Sequence, residues 1–340
     1  MNYSSLSISF RIGLAFHAMN NEGSGGTNVM EPRRIAVGGQ NYDGISGEMV
    51  RRHVFENLVQ LVKARKLPLS PQGEGLLPDR GKEVIKSFLT SQSDIAAKDG
   101  KYTLLPIHLP VVTKAAMTAC TLTDIGGYLA AYEGKEGVGG AIPKRDSTFD
   151  VGWLISETPA IVEFAQHTAY RPDGQHNLFT QNMRAATYGG VVRLDLGRVG
   201  YNDWAWLTPQ EPSPHLEDAQ RGQRVLALID AWEQWLLSPS GAKQAGWLQH
   251  LGQLEGVLVL SNFGPAPFRS PIEVKVNLAE DVEKIQPNPH YQADLVALEA
   301  AKPDRYKVLT FSDLAGLVTA FQGVRDALDL KEARLGGVGA

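Results

Sequence analysis

The sequence predicts an α+β protein whose core elements run in the order β-α-β-β-α-β. Three observations predict it. Leu6, Ile8, Phe10, Ile12 and Leu14 alternate with Ser7, Ser9, Arg11 and Gly13, and strict period-two alternation reads as a strand with one buried face. Val50, Val54, Leu58 and Leu61 recur at helical spacing between about Gly47 and Lys66, which gives one apolar stripe. Both patterns then return further along the chain as strand, strand, helix, strand.

Each element has its own signal. Ser46 is placed to cap the first helix. Phe149, Val151, Trp153 and Ile155 alternate as a second strand, and Tyr188, Gly190, Val192, Leu194 and Leu196 as a third. Ser213-Pro214 opens a second helix, with Pro at its favoured first position. Val225, Leu228, Ile229, Trp232 and Leu236 form the buried face of that helix, and Gly256–Leu260 is a short fourth strand. This order is the ferredoxin-like, or RRM-like, plan. Residues 68–145, rich in Gly, Pro and Lys, read as an insertion with short helical stretches. Residues 157–186, rich in His, Asn, Gln and Arg, read as loop. A helix near 290–302, a strand near 306–311 and a last helix near 312–330 follow a loop holding Pro265, Pro267 and Pro271.

Composition sets outer bounds on function. The chain has 340 residues, 43% hydrophobic and 21% charged, ordinary for a globular protein with a sizeable core. Cys120 is the single cysteine, so no internal disulfide and no cysteine-built zinc site can form. No basic stretch leads into an apolar run at the N-terminus, and no segment approaches the roughly 18 apolar residues of a membrane span. A cytoplasmic location is the expectation. The net charge of −4 works against nucleic-acid binding by the whole surface, but leaves room for a local basic groove.

Catalytic constellations are hard to find. The histidines at 17, 53, 108, 167, 176, 215, 250 and 290 show no metal-binding spacing. No Gly-x-Ser-x-Gly elbow occurs, and Cys120 has no local partner. The Gly-rich loop at 23–26 lacks the Gly-Lys-Ser/Thr ending of a phosphate-binding loop and reads as surface. The strongest chemical signal is the first helix start. Its free N–H groups and positive dipole end attract an anion such as phosphate. Arg51, Arg52 and His53 sit one turn in, and Arg33 and Arg34 just upstream. The competing reading is a solvated face pairing with Glu48 and Glu56. The third strand lacks the aromatic pattern of an RRM stacking surface, so loops and the helix start are expected to do any binding.

Three motifs, in this order, carry a family resemblance: Ile45-Ser46-Gly47-Glu48 with Arg51-Arg52-His53; Cys120 to Leu129; and Gln166-His167 with Tyr188-Gly189-Gly190. With Ala18-Met19-Asn20 and Pro32-Arg33-Arg34, the chain resembles the DevR family of CRISPR-associated proteins from Leu6 to about Ser270. The resemblance implies a hand-shaped crRNA-binding backbone subunit of a type I Cascade complex. Its palm would be residues 1–67 with 146–156 and 187–265. The fingers would be 68–145, the thumb 157–186, and residues 266–340 would pack on the palm. RNA-binding candidates on this basis are Asn20, Arg33, Arg34, Ser46, Arg51, Arg52, His53, His167, Arg171, Met183, Arg184 and Arg269. No cofactor or metal is implied. The implied partners are crRNA, target DNA paired to it, further copies head to tail, a handle-binding subunit, a large subunit and a crRNA-processing endonuclease. Related type III subunits cut RNA with an aspartate in the loop after the first strand. Here that loop reads Asn20-Asn21-Glu22-Gly23, with Asp43 much nearer the helix, so no nuclease activity is expected. A type III-like ribonuclease and a transcriptional autoregulator are the alternatives.

Overall fold

The computed structural model describes residues 3–19, 21–23, 29–91, 93, 95–98, 100–132, 137–159, 161–170, 176–208, 215–242, 248–277 and 282–329. The N-terminal part holds β1 (Ser5–His17), β2 (Asn21–Gly23), β3 (Val29–Pro32), β4 (Arg34–Val37), β5 (Gln40–Ile45) and α1 (Gly47–Ala64). The next stretch holds α2 (Pro71–Glu74), α3 (Arg80–Ser91), β6 (Tyr102–Leu104), α4 (Leu109–Ala119), α5 (Thr121–Gly126), β7 (Tyr128–Leu129), β8 (Val138–Gly140) and β9 (Lys144–Arg145). The chain then returns to the main sheet through β10 (Phe149–Val151), β11 (Leu154–Pro159), β12 (Val162–Tyr170) and β13 (His176–Asp195). Last come α6 (Asp218–Leu237), β14 (His250–Ser261), β15 (Ile272–Asn277), β16 (Val282–Pro287), α7 (Tyr291–Ala301), β17 (Tyr306–Phe311) and α8 (Leu314–Ala327).

The architecture is mixed α+β around a largely antiparallel sheet of order β17-β14-β1-β13-β11-β5-β4. β1 is central, with Leu6 opposite Leu194 on one side and Leu260 on the other. Its apolar side chains Leu6, Ile8, Phe10 and Ile12 are fully buried and belong to the core that α1, α6 and α8 share. Ser46 caps α1 by accepting from the Met49 amide, and Gly47 follows because a Cβ there would fall 2.2 Å from the Val151 carbonyl. Burying Val50, Val54 and Leu58 contributes about 1.5–3 kcal/mol each. Trp232 and Trp235 on α6 pack edge to face, with Trp232 also against Phe149 and Trp235 against Phe10. Asp230 ties the three helices, bonding Arg65 after α1 and Arg325 on α8.

The second face of the sheet is closed too, where alternation predicts a half-buried β1. Ser5, Ser7 and Ser9 are as buried as the leucines. Serine is small enough for a backbone segment to lie on the sheet, and the Ser5 and Ser7 hydroxyls satisfy polar groups of that segment. The Ser5 hydroxyl accepts from the Ala266 amide at 2.9 Å, and Ser7 donates to the Pro267 carbonyl. Beyond it, Val257 and Val259 pack with Tyr291 and Leu295 of α7.

Two other expectations change. Residues 157–186 are not loop: β11 runs to Pro159, and β12 pairs with β13 from Val162↔Arg184 to Tyr170↔His176. This ribbon, which β3 joins beside β13 at Thr180↔Val29 and Gln181↔Met30, is held by its backbone ladder and needs no apolar face, so its polar sequence hides the period. The second helix starts at Asp218, after Glu217, while Ser213-Pro214 lies outside the described residues. The β15–β16 hairpin has no counterpart in the sequence reading.

Candidate nucleic-acid interface

Three structural joints hold the region around the start of α1. In the first, the Tyr188 hydroxyl donates to Asp43 Oδ2 and accepts from His17 Nε2 at 2.7 Å. Arg184 pairs with the same Asp43 oxygen at 3.1 Å and donates to the Met19 carbonyl. All four side chains are buried. Burial pushes the Asp43 carboxyl up from its ordinary value, against the opposing effect of Arg184. Burial, helped by the Arg184 charge, pushes His17 down to about 3, so its imidazole is neutral. This joint ties the end of β1, the strand leading into α1, and the base of the β12–β13 ribbon.

The second joint centres on Asp124. Arg145 binds its Oδ1 at 2.7 Å, Arg224 its Oδ2 at 2.7 Å, and the Gly200 amide reaches both oxygens at 3.1 and 2.9 Å. Arg145 goes on to Asp203 at 2.9 Å and to the carbonyls of Asp124, Arg198 and Tyr201. Gly127 beside it has φ of +69° and lies where a Cβ would meet the Arg145 carbonyl at 2.3 Å. The Asp-x-x-Gly motif is thus a fastener between the 68–145 segment and α6.

The third joint carries a correction. Arg51 does not extend into an anion pocket. Its guanidinium donates to the Gly126 carbonyl at 2.7 Å and lies over the rings of Phe55 and Phe149, at 5.4 and 5.1 Å. Arg80 donates to Gly126 and Gly127 at 3.3 and 2.8 Å. Two cations cap the carbonyl end of α5, which is where the helix dipole favours them. Desolvation lowers the pKa of both.

The remaining candidates scatter. Arg184 is enclosed in the first joint, which corrects its assignment to RNA. Ser46 is buried, and its hydroxyl is spent on the Met49 amide. Arg52 is exposed and bonds Glu56 at 3.3 Å and the Leu76 carbonyl at 3.2 Å, and His53 lies 2.9 Å from Glu56. Arg52 therefore lies on a solvated surface that an anion can still reach, while the His53 side chain is mostly covered. Arg33 stacks over Trp153 at 5.5 Å, and Arg34, in register with Asp43, is exposed. Met183 is half-buried opposite Glu163, and His167 stands opposite Phe179 on the ribbon, its side chain outside the description. Asn20 and Arg171 lie outside the described residues. Arg269 pairs with Asp294 at 3.0 Å, on α7, away from the other candidates.

Two aromatics that alternation places inside the fold are exposed. Alternation puts Trp153 inside a strand, but Gly152-Trp153 separates β10 from β11 and leaves Trp153 39% exposed. The glycine was the available signal. Period two puts Phe16 on the face of Leu14, yet Phe16 is 53% exposed and His17 takes the interior place. Among the described residues, no three His, Cys, Asp or Glu side chains are arranged to hold a metal ion. No described helix is long and apolar enough to cross a membrane.

Fold and site together define a protein built on buried ion pairs, with Arg33, Arg34, Arg52 and the partly exposed Trp153 near the start of α1. The chain belongs to the family of CRISPR-associated negative auto-regulators DevR/Csa2, whose model matches residues 8–283. A relative from Methanocaldococcus jannaschii, described as CRISPR-associated protein Cas7/Cst2/DevR, is 25% identical over 315 residues, covering 82% of this chain and 90% of that one. Two solved structures are similar in outline. One, a CRISPR RNA-guided surveillance complex in a pre-nicking state, gives 15% identity and a TM-score of 0.46 over 95% of this chain and 99% of that one. The other, a CRISPR RNA-guided surveillance complex, gives 12% identity and 0.44 over 95% and 99%.

Proposed function

We propose that this chain is a crRNA-binding backbone subunit of a type I CRISPR effector complex, laid head to tail along the guide and presenting it for pairing with target DNA. The observation that carries the reading is family membership over residues 8–283. The strand order β14-β1-β13-β11, with α1 and α6 as the two crossing helices, is read as an RRM-like palm. Residues 68–145 are read as fingers and the β12–β13 ribbon as a thumb. Both sheet faces are covered by the chain itself, so RNA is assigned to the edge near α1. There Arg33, Arg34 and Arg52 would hold phosphate and sugar, which suits a guide of any sequence. Head-to-tail packing is a heterologous contact and gives an open filament. Sequence reading would be left to base pairing, as in RNA-guided recognition generally. The remaining partners would be the handle-binding subunit, the large subunit and the crRNA-processing endonuclease, in the cytoplasm.

No nuclease step is assigned to the chain. Asp43, three residues before the cap of α1, is fully buried beside Tyr188 and Arg184 and exposes no oxygen to a phosphodiester. The family description also carries the autoregulator reading, so the deciding experiment compares the two. Purified protein should bring down RNA of uniform length and shift single-stranded guide RNA at lower concentration than promoter duplex. Preference for the duplex, with no RNA retained, would overturn the proposal. Cleavage of target RNA opposite a bound guide would favour the ribonuclease reading.

A further inference from the structure

Among the described residues, four non-glycine residues take a left-handed backbone: Phe16 (φ 56°), Lys66 (54°), Leu76 (52°) and Asp329 (53°). Three have a local reason. Lys66, Leu76 and Asp329 directly follow the C-caps Arg65, Gly75 and Leu328 of α1, α2 and α8, where a left-handed residue ends a helix. Phe16 ends no helix. It sits inside β1, at a bulge that shifts the register against β13 between Leu14 and His17. Against β14 the register shifts one step earlier, between Ile12 and Leu14.

A bulky aromatic in this conformation is strained, and strain of this kind persists where the surroundings impose it and often marks a functional residue. Core packing does not repay it here. The ring is turned out of the core and 53% exposed, with an edge-to-face contact to His250 at 5.7 Å. The bulge does two things at once: it drives His17 inward onto Tyr188 and holds Phe16 out. Its neighbours in sequence, His17 and Met19, reach the region before and at the start of α1. His17 connects through Tyr188 to Asp43, three residues before the cap of α1. Met19 lies beside Met49 in the first turn of α1, both side chains meeting at Gly241.

We infer that Phe16 is a displayed stacking platform for an unpaired nucleobase of the bound RNA, with His250 bracing the ring from the side. The inference rests on the RNA-backbone reading above. An aromatic face suits that ligand because every base has a π-face, so the contact tolerates any guide sequence. It would complement the arginines assigned to phosphate and sugar.

The test uses full-length protein and single-stranded RNA carrying 2-aminopurine at successive positions. Wild type should quench the probe at particular positions on binding. Phe16→Ala should lose that quench and bind about tenfold more weakly, and Phe16→Trp should keep both. Phe16→Asn, which tolerates the left-handed backbone, should raise the melting temperature of the RNA-free protein while weakening RNA binding. A structural role predicts the reverse for that variant, a lower melting temperature and unchanged RNA binding, and that result would overturn the inference. Equal quench and affinity in wild type and Phe16→Ala would sink the stacking role and leave the RNA reading intact. Loss of RNA-free self-association in Phe16→Ala, with RNA affinity unchanged, would reassign the ring to contact with a second copy. Wild type that binds no single-stranded RNA would remove both readings together.

Discussion

Asp124 and Asp43 are both fully buried, and they are compensated in different ways. Asp124 meets two guanidiniums and a backbone amide, so both of its oxygens are bonded. Asp43 has one guanidinium and one phenol, both on Oδ2, and its Oδ1 has no hydrogen-bond partner. A buried charge is tolerable only when paired and fully hydrogen-bonded. The first arrangement is a permanent fastener between segments far apart in sequence. The second sits under stress at the base of the β12–β13 ribbon, where a small change in one partner is felt by the others.

The largest effect should therefore come at Asp124. Asp124→Ala leaves Arg224 buried without a carboxylate and Arg145 with Asp203 alone, which should cost about 3–5 kcal/mol. Urea denaturation should show a matching loss, or no cooperative transition. A cost under about 1 kcal/mol would mean that water reaches these arginines. Loss of Asp43 should cost less, because burial already favours its neutral form. Asp43→Asn keeps an acceptor for Tyr188 and should be about 1–3 kcal/mol less stable than wild type, through the unpaired Arg184.

The Asp43 joint should also respond to pH. The folded-state pKa of His17 is depressed to about 3 from the ordinary 6.5. Between those values the unfolded chain binds a proton that the folded chain refuses, so stability is lost as pH falls from 6.5 toward 3. Asp43 acts oppositely: its raised pKa means that stability is lost as pH rises from the ordinary 3.8 through its folded value. His17→Gln should remove the first effect, making the variant's stability about 2 kcal/mol less pH-dependent between pH 6.5 and pH 4.5. Melting curves across that range decide it; parallel slopes for the two proteins would show that the fold does not depress the pKa of His17.

A smaller effect separates two neighbours that the sequence groups together. Arg51 belongs with the fasteners, and Arg52 faces solvent. Arg51→Ala should cost about 1–2 kcal/mol of stability through the Gly126 carbonyl, left with only the longer bond from Arg80, and the lost ring contacts. Arg52→Ala should leave stability within about 0.5 kcal/mol and lower the salt slope of RNA binding by about 1. A lower slope in neither variant would move the phosphate contacts elsewhere along the edge.

The contrast also explains what the sequence could disclose. The core strands and helices were legible because alternation and helical spacing are local signals: β1, α1, the α6 face and β14 lie where they predict. The three motifs were legible as a resemblance, but not their roles, because those arise from contacts between distant segments. Arg51 reads as a phosphate ligand until Gly126 is beside it, and Arg184 reads as free until Asp43 is. The closed second face was hidden because Ser5, Ser7 and Ser9 look like a solvent side. The β12–β13 ribbon was hidden because backbone pairing leaves no apolar trace.

The smallest effect should come at Arg269, which marks how far the interface extends. Its guanidinium is exposed and pairs with Asp294 at 3.0 Å, with 55% and 47% of the two side chains open to water. An exposed pair of this kind contributes between about 0 and 1 kcal/mol, since solvent screens it and two long side chains must be ordered. It lies by the segment and the α7 helix that cover the second face, while the arginines assigned to phosphate lie by α1 and β4. Arg269→Ala should thus change stability by less than about 0.5 kcal/mol and leave both the affinity for RNA and its salt slope at the wild-type values. A drop in the salt slope as large as that expected for Arg52→Ala would extend the RNA path across the covered face, and the edge would then be only part of the interface.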